Sequence, residues 1–274
     1  MIALVTRRPV LSLTVTAAVL ALTVAASAPA AGSKGKKPEG GAWQARVADA
    51  AAFARGRAGS VSFAVVDERR KLHGFGANAS YSSGSLVKAM LLVAYLNQRG
   101  VRRRHLHPGD RRLLGPMIRV SDNDAASAVY ERIGSGALAR LAGRAGMTHF
   151  ETNPVWGGCQ VTARDQARFF YRLRSLLPRT HRSYALGLLA RIVPIQRWGI
   201  PRASPPGWRI HFKGGWYPDD GAWRVHQAAL LRRGGRRLSV AVLSSGAPDF
   251  GYGAATVEGV AARLLRRLDQ TAKQ

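Results

Sequence analysis

A single cysteine, Cys159, stands in 274 residues. One thiol excludes an intramolecular disulfide and any metal site built from several cysteines. Its expected role is buried packing rather than nucleophilic attack. Acidic residues are scarce as well: 15 Asp and Glu face 42 Lys and Arg, a formal net charge of +27. Such an imbalance favours anionic partners, an anionic cell-wall polymer among them. The arginines are dispersed over many segments, with no aromatic-interleaved basic motif, so no nucleic-acid partner is expected. The histidines form no pair at helical ligand spacing, His105 and His107 lying two apart. Neither a metal nor an organic cofactor is therefore implied. No internal repeat is present.

What the chain does have is enough apolar residue, 46%, for a packed globular protein. Residues 1–31 read as an export signal: Arg7-Arg8 precede an uncharged apolar run, Val10 to Ala26, and Ala28-Pro29-Ala30 offers small-residue cleavage positions. The context Thr6-Arg7-Arg8-Pro9-Val10-Leu11 is similar to a twin-arginine signal. The expected location is secreted or cell-wall associated, with membrane contact only through the signal segment before cleavage. Residues 32–41 form a Lys/Gly/Pro linker, and residues 42–274 are expected to form one domain.

Within that domain, Trp43–Arg55 has helical spacing. Ser60–Asp67 is a buried-strand candidate, and Lys71–Tyr81 is its expected partner across a short charged turn. A His-Pro-Gly-Asp turn is expected at 107–110. Helical patterns follow at Asp124–Ile133, Gly136–Ala145, Ala163–Leu177 and Ser183–Ile192. Three strand candidates come next, Trp208–Lys213, Ala222–Arg232 and Arg237–Ser244, with a hairpin turn at Gly234-Gly235. Thr256–Leu268 is a final amphipathic helix. Strands at both ends with helices between imply an α+β fold, an antiparallel sheet flanked by terminal helices and set against an all-helical lobe.

Chemistry concentrates in Ser82-Ser83-Gly84-Ser85-Leu86-Val87-Lys88, which follows a strand-like run and opens an apolar helix. A helix beginning near Ser85 puts Lys88 one turn on, on the same face. An amine made less basic by burial and by neighbouring cations can take a serine proton. Ser-x-x-Lys alone is a weak signal, but two more pieces lie downstream in order. Ser121-Asp122-Asn123 precedes a helix, and Lys213-Gly214-Gly215 ends a strand-like run. Taken singly, the first is an ordinary N-cap and the second an ordinary strand exit.

Together the three pieces resemble the signature set of class A β-lactamases and penicillin-binding proteins, Ser-x-x-Lys, Ser-Asp-Asn and Lys-[Thr/Ser]-Gly. The resemblance runs from about Ala42 to the C-terminus, and the chain departs from the pattern at Gly214, which replaces the hydroxyl residue. It implies a serine hydrolase of β-lactamase-like fold that acts through a Ser85 acyl-enzyme on a β-lactam or related amide. Other implied substrates are peptidoglycan-derived or small amides and esters, as for a D-alanyl-D-alanine carboxypeptidase or an esterase-like relative. A catalytically weak wall-binding protein of the same fold is a third possibility.

By the same resemblance Lys88 is the base for acylation. The N–H groups of Ser85 and Trp216 form the oxyanion hole. Ser121 relays a proton to the leaving nitrogen in the field of Lys213. Asn123, with Lys213, Gly214 and Gly215, holds substrate, Asn123 also fixing Lys88, and Asp122 is a buried structural carboxylate. Glu151 takes the place of the family's water-activating glutamate, although the Glu-x-x-Leu-Asn pattern is absent. It is otherwise a loop carboxylate facing arginines, with Asp219 and Asp220 as alternative acids at the rim.

Overall fold

Strands β5 (Arg209–Asp219), β6 (Ala222–Arg233) and β7 (Arg236–Ala247) are consecutive antiparallel neighbours. In the computed structural model, which describes residues 40–266 and 268, they join β1 (Ser60–Val66) and β2 (Leu72–Phe75) in one sheet of order β2-β1-β7-β6-β5. The expected export segment and the linker up to residue 39 lie outside the described residues. Six of the seven residues of β1 are buried, as a strand covered on both faces requires.

One cover is made by the terminal helices, α1 (Gly40–Arg55) and α9 (Phe250–Leu265), which pack on each other and, through α9, on β6 and β7, with the short α8 (Ile200–Ala203) against α9. The other is the helical lobe: α2 (Lys88–Leu96), α3 (Pro108–Arg119), α4 (Asn123–Ile133), α5 (Ser135–Ala145), α6 (Ala163–Leu176) and α7 (Arg182–Ala190). All nine residues of α2 are buried. It is the lobe's core, ringed by α3, α4, α5 and α7. Each fully buried leucine there contributes about 1.5–3 kcal/mol. The expected α+β architecture is the observed one.

Three local expectations need correction. Lys71–Tyr81 is not one strand. β2 pairs with β1 over Phe63–Val66, and the chain then turns away at Gly76, whose φ of +55° suits glycine. Ser80–Ser82 (β3) pairs instead with Gln160–Thr162 (β4), far along the chain. The expected turn at 107–110 is the start of α3. There the Asp110 carboxylate accepts the His107 N–H at 2.7 Å, and the Tyr95 hydroxyl and Arg104 also donate to it. Gly109, Gly115 and an internal Pro116 hide this helix from a periodicity reading. Finally, Lys213-Gly214-Gly215 is not a strand exit. β5 continues through it to Asp219, and Asp220-Gly221, with φ of +48° and +74°, turns into β6 as a two-residue hairpin loop requires.

Candidate active site

The segment that carries Ser85 hangs between two supports. From β3, the Ser82 carbonyl accepts from the Tyr217 hydroxyl (3.3 Å) and from His226 Nε2 (3.1 Å). The Ser244 N–H donates to His226 Nδ1, which fixes the proton on Nε2. Burial lowers the pKa of His226 to about 4, so the ring is neutral. The Ser83 N–H donates to the Cys159 carbonyl at 2.8 Å. Gly84 then takes φ +49°, where a Cβ would stand 2.9 Å from the Tyr217 ring. A 3-10 turn over Gly84–Val87 delivers Ser85 and runs directly into α2, with Lys88 as its first residue.

β5 lies against this turn, and Gly215 makes the approach possible. A Cβ there would meet Leu86 N at 2.7 Å, Ser83 O at 2.9 Å and Ser85 N at 3.0 Å. The backbone next to Trp216 is thereby held against the backbone of Ser85. Gly214 is closed for a different reason: its Cβ would be 3.2 Å from the indole of Trp198. Trp198, Trp216 and Phe250 pack edge-on or tilted on one another beneath it.

The Lys88 side chain is fully buried. Its ammonium donates to the Ser121 carbonyl (2.6 Å), Asn123 Oδ1 (2.6 Å) and, more weakly, Ser121 Oγ (3.3 Å). Burial lowers its pKa to about 8, with the Asp122 carboxylate partly opposing. Lys213 is also fully buried and donates to Ser121 Oγ (3.0 Å) and to the Gly214 carbonyl (2.8 Å). Burial, then the charge of Lys88, pushes its pKa well below the lysine range. The Ser121 hydroxyl thus accepts from both lysines. With its two lone pairs engaged, its own proton is directed elsewhere. Ser121 holds φ +63°, a conformation that costs a non-glycine residue about 1–3 kcal/mol. In it, the serine's carbonyl and hydroxyl both reach Lys88.

Ser85 is half-buried. Among the described residues its hydroxyl has no hydrogen-bond partner, so the expected Ser85–Lys88 contact is not formed in this state. A cleft of about 370 Å³ opens over it, walled by Trp156, Trp216 and Tyr217, with Asn123 and Asp219 at its margin. The indole of Trp156 lies over the Lys88 ammonium, 4.7 Å from ring centroid to Nζ, and its N–H donates to Ser127 Oγ.

The acids are placed differently from expectation. Glu151 is exposed and absent from the cleft lining. Its backbone forms an isolated antiparallel bridge with Gln160, which turns residues 152–159 back toward α4 and seats Trp156, not a carboxylate, above Lys88. Asp219 lines the cleft but is ion-paired with Arg224, and Asp220 sits in the hairpin loop. Asp122 is half-buried rather than buried, and caps α4 by accepting the Ala125 N–H at 2.8 Å. Cys159 is buried, and burial raises its thiol pKa. Trp156, Trp198 and His226 carried no local sequence signal, because each acts through a contact distant along the chain.

A serine at the mouth of a buried two-lysine network, on an antiparallel sheet backed by a helical lobe, defines a serine-nucleophile hydrolase of α+β type. The sequence model of the beta-lactamase enzyme family matches residues 104–268, and the chain belongs to that family. The match begins downstream of Ser85 and Lys88. No curated protein matches the sequence.

Solved structures of similar shape include a beta-lactamase from Sphaerobacter thermophilus DSM 20745. It is 19% identical, with 81% of this chain and 96% of that one covered and a TM-score of 0.69. A class A beta-lactamase from Mycobacterium abscessus is 18% identical, with 81% and 98% covered and a TM-score of 0.65. A structure described as PBP-A is 16% identical, with 83% and 96% covered and a TM-score of 0.67. At such identities the likeness is one of fold.

Proposed function

We propose that the protein is a penicillin-recognising acyl-serine enzyme that acylates readily and deacylates slowly. Its substrates are β-lactams or related amides of peptidoglycan type. The observation that carries this reading is the pairing of a buried Lys88–Ser121–Lys213 network beside Ser85 with a cleft whose one lining carboxylate, Asp219, is ion-paired. Neutral Lys88 takes the Ser85 proton as Oγ attacks the carbonyl carbon. The N–H groups of Ser85 and Trp216 receive the developing oxyanion, where losing one donor costs about 3 kcal/mol. Ser121 passes its proton to the leaving nitrogen and is resupplied from the lysine pair. Hydrolysis of the ester then needs a water activated by a base. Glu151 is exposed and does not line the cleft, Asp219 is engaged by Arg224, and Trp156 occupies the space above Lys88.

A second substrate class, esters and amides without a terminal carboxylate, is favoured by one observation. Gly214 supplies no hydroxyl for that carboxylate, and Trp198 fills the space under it. The residue pattern of positions 1–31 supports export to the cell wall or medium as part of the same proposal.

Intact-mass measurement after incubation with a labelled penicillin, wild type beside Ser85→Ala, tests the reading. A persistent single label on wild type alone is expected. Rapid loss of that label sinks the slow-deacylation part. No label on either protein, while an uncharged ester labels Ser85, moves the assignment to the second class.

A further inference from the structure

Away from Ser85, a concavity of about 780 Å³ lies between α6, the end of α5 and the turn joining β1 to β2. Arg70, Arg168, Arg172 and Arg237 line it, and no carboxylate does. The positive charge continues along the sheet. Arg237 on β7 stands directly opposite Arg232 on β6, which stands opposite Arg209 on β5. Opposed residues share a face. That face is set by Ser239, two positions after Arg237, whose hydroxyl donates to the Ala167 carbonyl of α6. Arg237 also lies over the ring of Tyr171, 4.4 Å away. Burial, then the charges of Arg174, Arg209 and Arg237, lowers the pKa of Arg232.

Like charges directly opposed destabilise a sheet, and what offsets them here is uncharged: the Tyr171 ring under Arg237 and the Gly146 carbonyl that accepts from Arg168. Among the described residues none of these arginines is ion-paired, whereas Arg104, Arg224 and Arg236 elsewhere each hold a carboxylate. A surface that keeps such a row unneutralised is complementary to an external anion. We propose that the groove and its arginine row bind a linear phosphate polymer.

Guanidinium forks grip phosphate oxygens in pairs. The row crosses three strands, roughly 10 Å at strand spacing, before it meets the α6 arginines, which suits a chain of charges better than a single one. Nucleic acid is a poorer fit: Tyr171 is 6% exposed and covered by Arg237, so no ring is open for a base to stack on. A membrane is a poorer fit too. The surface is concave, and the exposed large hydrophobics Val120, Val155 and Ile195 lie outside it. Arg209 precedes Lys213 by about 13 Å of strand, so the inference stands apart from the reaction at Ser85.

The test is fluorescence anisotropy with labelled long-chain inorganic polyphosphate, using the full chain at 50 and 200 mM NaCl. Four phosphate contacts predict a loss of affinity of about 50-fold across that salt range, on the single-strand coefficient. The variant Arg70→Gln/Arg168→Gln/Arg172→Gln/Arg237→Gln is expected to lose most of the binding and most of the salt slope. Its circular dichroism and melting transition report whether it folds. A control set, Arg102→Gln/Arg103→Gln/Arg140→Gln/Arg179→Gln, removes the same charge from exposed positions elsewhere and is expected to bind nearly as wild type. Equal loss in both sets overturns the groove in favour of net charge. Equal or tighter binding of single-stranded DNA, of polyglutamate or of anionic vesicles overturns the phosphate polymer. If the groove set unfolds, Arg172→Gln/Arg237→Gln must weaken binding at least fivefold, or the proposal is wrong.

Discussion

The indole of Trp156 covers the ammonium of Lys88 at 4.7 Å, closing the buried lysine from above. Trp156→Ala opens it to water. Burial is the main cause of the lowered Lys88 pKa, so uncovering it moves that pKa up from about 8. The lost cation–π contact, about 0.5–2 kcal/mol, acts in the opposite direction and is expected to be outweighed. In a pH profile of acylation by a reporter penicillin, the acidic limb should therefore move to higher pH. A limb that stays or moves down would show that the indole, not dehydration, governs this amine.

Wild-type acylation should rise with pH through about 8, as Lys88 becomes neutral. The same shift links to folding. The folded pKa lies below the unfolded value of 10.5, so between these values the unfolded chain binds more protons and stability increases with pH. Lys213 contributes with the same sign. Lys88→Met should abolish the acylation limb and reduce the slope of urea-unfolding free energy against pH between about 8 and 10.5. An unchanged slope would remove Lys88 from the linkage.

Ser121 combines chemistry with backbone strain, and two substitutions separate them. Ser121→Ala and Ser121→Gly both delete the hydroxyl bridging the lysines, and each should slow acylation by roughly 10²–10⁴-fold. Only glycine relieves φ +63°. Ser121→Gly should therefore be the more stable of the two by about 1 kcal/mol, read from urea midpoints. Equal midpoints would mean the conformation is not strained.

Gly215→Ala forces β5 off the Ser85 turn, because a methyl group would meet three backbone atoms at 2.7–3.0 Å. Misplacement of about 1 Å costs on the order of 10²-fold in rate. Stopped-flow acylation should show that loss with the melting temperature only modestly lowered. Near-wild-type acylation would mean that the contact between β5 and this turn does not set the reaction geometry.

Glu151→Ala should leave both acylation and label decay within about twofold of wild type, as is usual for an exposed side chain away from the reacting atoms. A large slowing of decay would restore Glu151 as the water-activating base.

What the sequence revealed and withheld follows from how far each feature reaches along the chain. α6 was readable because its apolar periodicity is local, as was α9 from Thr256 onward, although that helix begins earlier, at Phe250. The meeting of Lys88, Ser121, Asn123 and Lys213 was readable because fixed motifs mark them. Pairing of Ser80–Ser82 with Gln160–Thr162 was not readable, since register between distant strands leaves no local pattern. Helix α3 was masked by Pro116 and two glycines. That Glu151 lies outside the cleft lining was not readable, because loop spacing alone does not say which side chain turns inward, and Trp156 does so instead.

The short β3–β4 ribbon has a mechanical consequence. Through Ser83 and Cys159 it ties the Ser85 turn to the Trp156 turn. Lid and floor are therefore geared together. A shift of this ribbon is expected to reach Ser85 and Trp156 together, because β3 leads into the one and β4 follows the other.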